Sequence, residues 1–78
     1  MRRGILVLTD GELLELSKYV QYRKINIALE NLKEENRILI SDEELENILD
    51  EIGRPDGNEL MNNIIRKLSD LLLSLRNR

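Results

Sequence analysis

The C-terminal segment of the chain has the pattern that most restricts its fold. Apolar side chains recur there at spacings of three and four residues over two heptads, which is typical of one face of a helix. Leu60, Ile65 and Leu72 widen this stripe, and Asp56 is the expected N-cap. The stripe predicts bundle packing or a short seam with a second subunit. We predict partner contacts at Met61, Ile64, Leu68, Leu71, Leu75 and, off the stripe, Leu73.

A short apolar run near the N-terminus is followed by the pattern of a helix start. Residues 5–8 are Ile-Leu-Val-Leu, and Thr9 with Glu12 three places later fits a capping box. No Gly or Pro interrupts residues 12–36, so we expect one long helix there. The apolar stripe changes face near residues 19–22. Whether the helix is continuous through that point stays open.

A second apolar run and a second capping box follow. Residues 38–40 could pair with residues 5–8 as a two-stranded ribbon, although the sequence leaves this pairing open. Ser41 and Glu44 begin a shorter amphipathic helix that ends at Gly53, two positions before the single proline. The expected order is strand, long helix, strand, short helix, long helix, and we recognise no internal repeat in it.

These elements predict one small domain over residues 1–78. We expect a mainly α fold, a small three-helix bundle-like domain with its elements in β-α-β-α-α order. The two apolar runs can form a short two-stranded β ribbon within it. A chain of 78 residues buries only about 60% of its unfolded surface. It contains neither Cys nor His, so disulfides and the usual zinc ligands cannot stabilise it. Homo-oligomerisation is therefore expected.

The composition excludes several classes of function. Without Cys or His there is no thiol nucleophile and no Ser–His pair, and the glycine spacing fits no phosphate-binding loop. We therefore expect no enzymatic activity, no cofactor and no metal. No apolar run approaches the roughly 18 residues of a membrane span, and we expect a cytoplasmic protein. With 12 basic and 15 acidic residues, the net charge of -3 disfavours a nucleic-acid coating function.

Charged side chains are sorted along this small acidic chain. Three acids at helical spacing on the short helix, Asp42, Glu46 and Asp50, form a predicted docking face for a protein partner. A solvated helix face is the simpler interpretation. The alternative site is a nucleic-acid surface of basic and amide side chains, consisting of Lys18, Arg23, Lys24, Asn62, Asn63, Arg66 and Lys67.

Two segments resemble DNA-binding families. Residues 3–20 resemble the strand-to-helix opening of ribbon-helix-helix repressors, and residues 44–68 resemble a helix-turn-helix. The first resemblance implies a strand paired across a dimer, with outward polar or basic side chains that read the major groove; Arg3 alone suits that role here. It also implies a short turn between two helices, which is not predicted before residue 36. The second implies base or phosphate contacts from the amide and basic residues of the C-terminal helix.

The favoured expectation is a small protein-interaction module that self-associates, or that binds and regulates a larger protein. Surplus Leu and Ile surface and sorted charge support it. In composition the chain is similar to accessory and inhibitor proteins of phages and other mobile elements. The alternative is a DNA-binding transcriptional regulator of the helix-turn-helix or ribbon-helix-helix type.

Overall fold

The elements follow one another as strand, helix, helix and then strand, helix, helix. A computed structural model describes residues 2–53 and 58–77 of the chain. The mainly helical prediction is confirmed, but the order is β-α-α-β-α-α and the three-helix bundle is not found. Instead, the described residues form two strands and four helices: β1 (Arg3–Thr9), α1 (Asp10–Ser17), α2 (Arg23–Glu30), β2 (Glu35–Ser41), α3 (Asp42–Ile52) and α4 (Glu59–Arg76).

Both predicted capping boxes are present, and each starts a helix directly after a strand. Thr9 Oγ1 accepts a hydrogen bond from the Glu12 N–H at 3.2 Å, and Glu12 Oε1 accepts one from the Thr9 N–H at 2.9 Å. Ser41 and Glu44 make the same two bonds at the start of α3. These side chains pair N–H groups that have no partner within the helix. The two predicted helix starts are therefore confirmed.

The prediction of one long helix over residues 12–36 is wrong. α1 and α2 are separate helices, and residues 18–22 connect them. A straight helix cannot turn apolar stripes on two opposite faces towards one core. Two helices can, since each rotates its own stripe inward: Leu13 and Leu16 of α1 and Ile25 of α2 are all fully buried.

The two short apolar runs pair, as the sequence allowed. β1 and β2 are antiparallel, and Leu6 lies opposite Ile38 at the centre of the ribbon. The helices cover one face of this ribbon, where Leu6, Leu8 and Ile38 are buried together with Ile40. A two-stranded ribbon is marginal in water, and the packed helices supply the apolar cover that it needs.

The C-terminal helix is α4, which is 18 residues long. Asn58 is its N-cap and accepts a hydrogen bond from the Met61 N–H at 3.2 Å. The expected cap, Asp56, lies outside the described residues. α4 packs against α3, α1 and β1 and so contacts both halves of the chain.

An internal repeat relates the two halves of the molecule, contrary to the sequence-based expectation. Residues 6–16 and 38–48 share three apolar residues, a Thr or Ser, then Asp, any residue, Glu and Leu. Leu6 and Ile38 are equivalent in this repeat and also lie opposite each other in the ribbon. A local twofold axis therefore passes between them. The repeat is short and its helices differ in length, which conceals it in the sequence.

Candidate protein-interaction surface

The open face of the ribbon exposes a group of apolar side chains. Ile5 is 51% exposed, Val7 38% and Leu39 50%. Ile5 lies opposite Leu39, and Val7 lies opposite Arg37. Directly opposed residues on one face have Cβ atoms roughly 5 Å apart and diagonal ones roughly 7–8 Å, so Leu39 is a neighbour of both Ile5 and Val7. We call Ile5, Val7 and Leu39 the ribbon patch.

Charged side chains border the ribbon patch at both ends. Arg3 lies at one end of the open face, and Glu35 lies opposite Thr9 at the other. Arg37 Nη2 donates to Glu35 Oε2 at 3.0 Å, and both side chains are well exposed. An exposed apolar cluster with a polar border is typical of an interaction surface.

Each strand of the ribbon has an outer edge, where backbone groups face away from the other strand. Asp42 N–H donates to the Arg2 carbonyl at 3.0 Å, and antiparallel bonds alternate along a strand. The even-numbered residues of the ribbon therefore bond to each other, and the odd-numbered residues direct their N–H and C=O groups outward. Lys24 Nζ agrees with this assignment, because it reaches the Leu39 carbonyl from outside at 2.7 Å.

A groove runs along each edge, and the two grooves differ in charge. The groove between β2 and α2 has a volume of about 320 Å³, and three cations but no acid line it: Lys24, Lys33 and Arg37. The groove between β1 and α4 has a volume of about 350 Å³ and is lined by one cation and one acid, Lys67 and Asp70. We call them the β2-edge groove and the β1-edge groove.

Each edge also has a lysine that binds a capping-box carboxylate of the other half. Lys24 Nζ lies 2.8 Å from Glu44 Oε1, and Lys67 Nζ lies 2.6 Å from Glu12 Oε1. Partial burial by itself would raise the pKa of Glu12, but hydrogen bonds from Lys67 and Thr9 outweigh it and lower this pKa. Glu12 is therefore ionised at neutral pH, which suits its pairing with Lys67.

Glu44 has one donor more than Glu12. Its partial burial opposes ionisation, yet hydrogen bonds from Lys24, the Tyr22 hydroxyl and the Ser41 N–H lower its pKa to about 2. The hydrogen bond to Glu44, followed by burial, raises the pKa of Tyr22 to about 12. Both groups are thus held in one protonation state, and this arrangement locks α2 onto the start of α3.

Most residues of the partner seam predicted on the C-terminal helix pack within the chain itself. The chain's own α1, α3 and β1 cover the stripe, so it is not available to another subunit. Leu71 is half-buried and lies against Gly4 of β1. Leu73 alone is exposed as expected, at 61%. The fully buried members of the seam are Met61, Ile64, Leu68 and Leu75.

The three acids of the predicted docking face, which we call the acidic ladder, lie on the surface of α3. Glu46 and Asp50 are exposed, and Asp42 is partly exposed. Arg76 of α4 approaches Glu46 to 2.5 Å and neutralises part of the ladder. Within residues 2–53 and 58–77, no group of three acidic side chains is close enough to hold a metal ion. A docking role for this ladder stays a prediction.

The predicted nucleic-acid residues do not come together in one patch. Lys24 and Lys67 lie at opposite edges of the ribbon, and each is bound to a glutamate. Lys18 pairs with Glu15 at 3.0 Å. The other members are exposed on α2 and α4: Arg23, Asn62, Asn63 and Arg66.

Sequence reasoning missed the ribbon patch because both apolar runs are continuous. A continuous run is typical of a strand buried on both faces. In a chain of 78 residues the helices cover only one face, so every second residue of each run stays outside. The residues of β1 and β2 alternate between the covered and the open face of the ribbon, and the sequence alone does not show which residues lie on which face.

Compared with protein-family models, curated proteins and solved structures, the chain has no match in any of the three. Among the described residues, no helix is long and apolar enough to cross a membrane. The assignment of function therefore depends on the surfaces described above.

Proposed function

We propose that this protein is a small non-enzymatic interaction module that binds and regulates a larger protein through the ribbon patch. The observation that supports this most is the cluster of Ile5, Val7 and Leu39 at the centre of the open ribbon face. Solvent-facing strand positions are usually polar. Covering these side chains is favourable by roughly 25 cal/mol per Å² of apolar surface.

The other exposed apolar residues do not form a comparable group. They lie on the helices or directly after one: Leu14 on α1, Ile27 on α2, Leu32 after α2, and Leu60 and Leu73 near opposite ends of α4. Single exposed apolar residues are common on protein surfaces. The ribbon patch differs because strand pairing holds its members side by side.

The test is a tagged pull-down from source-cell lysate treated with nuclease, comparing three proteins. We expect the wild type to retain a stoichiometric protein partner and the Ile5→Thr/Leu39→Thr variant to lose it, since threonine keeps strand propensity but removes apolar surface. The matched control is Leu14→Gln/Leu73→Gln, which removes two exposed leucines from helices and should retain the partner. Retention by the ribbon variant, or recovery of nuclease-sensitive material alone, would contradict the proposal.

The alternative is a DNA-binding protein of the ribbon-helix-helix type, which the topology favours. The order strand, helix and helix occurs twice around one antiparallel ribbon, so a single chain has the helices and strands that the family resemblance assigns to a dimer. On the open face, Arg3 and Arg37 are the basic side chains among the described residues. Salt-sensitive duplex binding that is lost in Arg3→Ala/Arg37→Ala would favour this alternative over the first.

Self-association through the ribbon patch is the second expected use of the same surface. A dimer that covers the patch should dissociate in the Ile5→Thr/Leu39→Thr variant and persist in Leu14→Gln/Leu73→Gln. Sedimentation equilibrium of the three proteins measures this directly.

A further inference from the structure

We propose that the β2 edge binds an extended, acidic segment of the partner as an added strand. This inference rests on the proposed function, because it names the chemistry of the partner segment that the module binds. Three features of the β2-edge groove support it: outward backbone groups, an apolar lining and an excess of cations.

The backbone of β2 offers hydrogen bonds along its outer edge. Arg37 directs both its N–H and its C=O outward, and Leu39 directs its N–H outward while its carbonyl is bound to Lys24. In the described part of the chain, no hydrogen bond satisfies the outward groups of Arg37. Unpaired edge groups are the template on which an extended peptide adds as a further strand.

The groove beside this edge can hold alternate side chains of an added strand. Ile27 and Ala28 of α2 form one wall, and Ile38 and Leu39 of β2 form the other. Ile27 is about half exposed, so apolar surface is available to a ligand. Successive side chains of a strand point to opposite faces, and every second one would therefore enter the groove.

The charges that line the β2-edge groove favour an acidic ligand. Lys24 is held by Glu44 and Arg37 by Glu35, whereas the Lys33 ammonium has no acidic partner within the described residues. The Arg37–Glu35 pair is exposed, and pairs of this kind are weak enough for an incoming carboxylate to replace. The ligand's carboxylates can thus bind Lys33 and Arg37 while its backbone pairs with β2.

The β1 edge is less suitable for the same ligand. Lys67 and Asp70 balance each other in its groove. Leu71 of α4 packs over Gly4, next to the edge of β1, where a Cβ atom would lie 2.9 Å from Leu71 Cδ1. The repeat thus provides an internal control, since Ile5 on β1 occupies the position that Arg37 occupies on β2.

The experiment is a titration of ¹⁵N-labelled protein with a blocked eight-residue peptide of alternating Val and Glu, followed by amide chemical shifts. We expect saturable shifts at Glu35, Arg37, Leu39 and the facing residues of α2. A peptide of alternating Val and Lys, and the Lys33→Glu variant with the Glu peptide, should each bind about tenfold more weakly because the charges repel.

Two proline variants test the backbone pairing. Arg37→Pro removes an outward N–H at an edge, where proline is tolerated, and should abolish binding of the Glu peptide. Arg37→Ala removes the charged side chain but keeps the backbone N–H, and should weaken binding less. Arg3→Pro removes an outward N–H from the other edge, at the first residue of β1, and should leave binding of the Glu peptide unchanged.

The inference is overturned if the Glu peptide causes no saturable shifts up to its solubility limit, or if the shifts map to the β1 edge. It is also overturned if Arg37→Pro still retains the protein partner in the pull-down. In that last case, loss of the partner in Ile5→Thr/Leu39→Thr would leave the proposed function intact, so the two failures are distinguishable.

Discussion

The two halves of the molecule have the same order of elements but differ in the helix that packs beside each strand edge. β1-α1-α2 and β2-α3-α4 each place a capping box between a strand and a helix. The second helix of the first half, α2, has 8 residues, whereas its counterpart α4 has 18. The long α4 packs on β1 and the short α2 on β2, so the two strand edges have different helical neighbours.

Equivalent strand positions show the same contrast. Gly4 in β1 has no side chain, and this lets Leu71 and Leu75 of α4 approach closely. Its equivalent in β2, Asn36, is buried and bonds to the Leu8 carbonyl at 3.2 Å. One half therefore uses a glycine for close helix packing, and the other uses a polar side chain to hold the chain leading into the strand.

The largest expected effect comes from truncating the core residue of each second helix. Ile25 and Leu68 each come directly after the lysine that binds a capping-box glutamate, and both side chains are fully buried. We expect Ile25→Ala and Leu68→Ala each to lower the free energy of unfolding by about 2–5 kcal/mol. Urea unfolding measures both. A cost below about 1 kcal/mol for Ile25→Ala alone would show that α2 is not an anchored counterpart of α4.

The next effect concerns the polar lock at Asn36. Its side chain donates to the Lys33 carbonyl at 2.8 Å and accepts from the Lys33 N–H at 3.0 Å, besides its bond to Leu8. Asn36→Ala removes these three hydrogen bonds from a buried side chain and should cost about 1–3 kcal/mol in urea unfolding. Asn47→Ala, at an exposed site on α3, is the control and should change stability by less than about 0.5 kcal/mol.

A smaller effect concerns the pKa values of the two capping-box glutamates, Glu44 and Glu12. The folded-state pKa of Glu44 lies below its ordinary value, so its stabilisation is present at neutral pH and is lost as pH falls from 4.5 towards about 2. Tyr22→Phe removes a donor that Glu12 lacks, and the pKa of Glu44 should rise while that of Glu12 stays unchanged. NMR titration of the side-chain carboxyl carbons measures both values. Equal shifts in both would contradict the assigned hydrogen bond.

The smallest effect is expected at Leu73. Because its side chain is 61% exposed on α4, away from the ribbon, Leu73→Gln should change the free energy of unfolding by less than about 0.5 kcal/mol. It should also leave partner binding unchanged. Loss of the partner in this single variant would move the interaction surface from the ribbon to α4.

Local signals in the sequence predicted much of the fold. Thr9 with Glu12 and Ser41 with Glu44 identified two helix starts, and the stripe around Ile64 identified the C-terminal helix. These patterns depend on neighbours within one or two helical turns, and such contacts are visible in sequence.

Long-range packing could not be predicted in the same way. The break at residues 18–22 occurs without Gly or Pro, because two stripes must face one core. The stripe was correctly identified as apolar, but the sequence does not show that α1, α3 and β1 of the same chain pack against its helix. The ribbon patch depends on which face the helices cover, and that choice is made only by the tertiary fold.

The most direct test of the account is hydrogen–deuterium exchange of the protein alone and in complex with the partner recovered by pull-down. We predict slower exchange across residues 3–9 and 35–41 in the complex, with the strongest protection at Arg37 and Leu39. Segments that contain Leu14 and Leu73 should be unchanged. Protection confined to the acidic ladder of α3 or to the end of α4, with the ribbon unaffected, would contradict the claim that the open ribbon is the interaction surface.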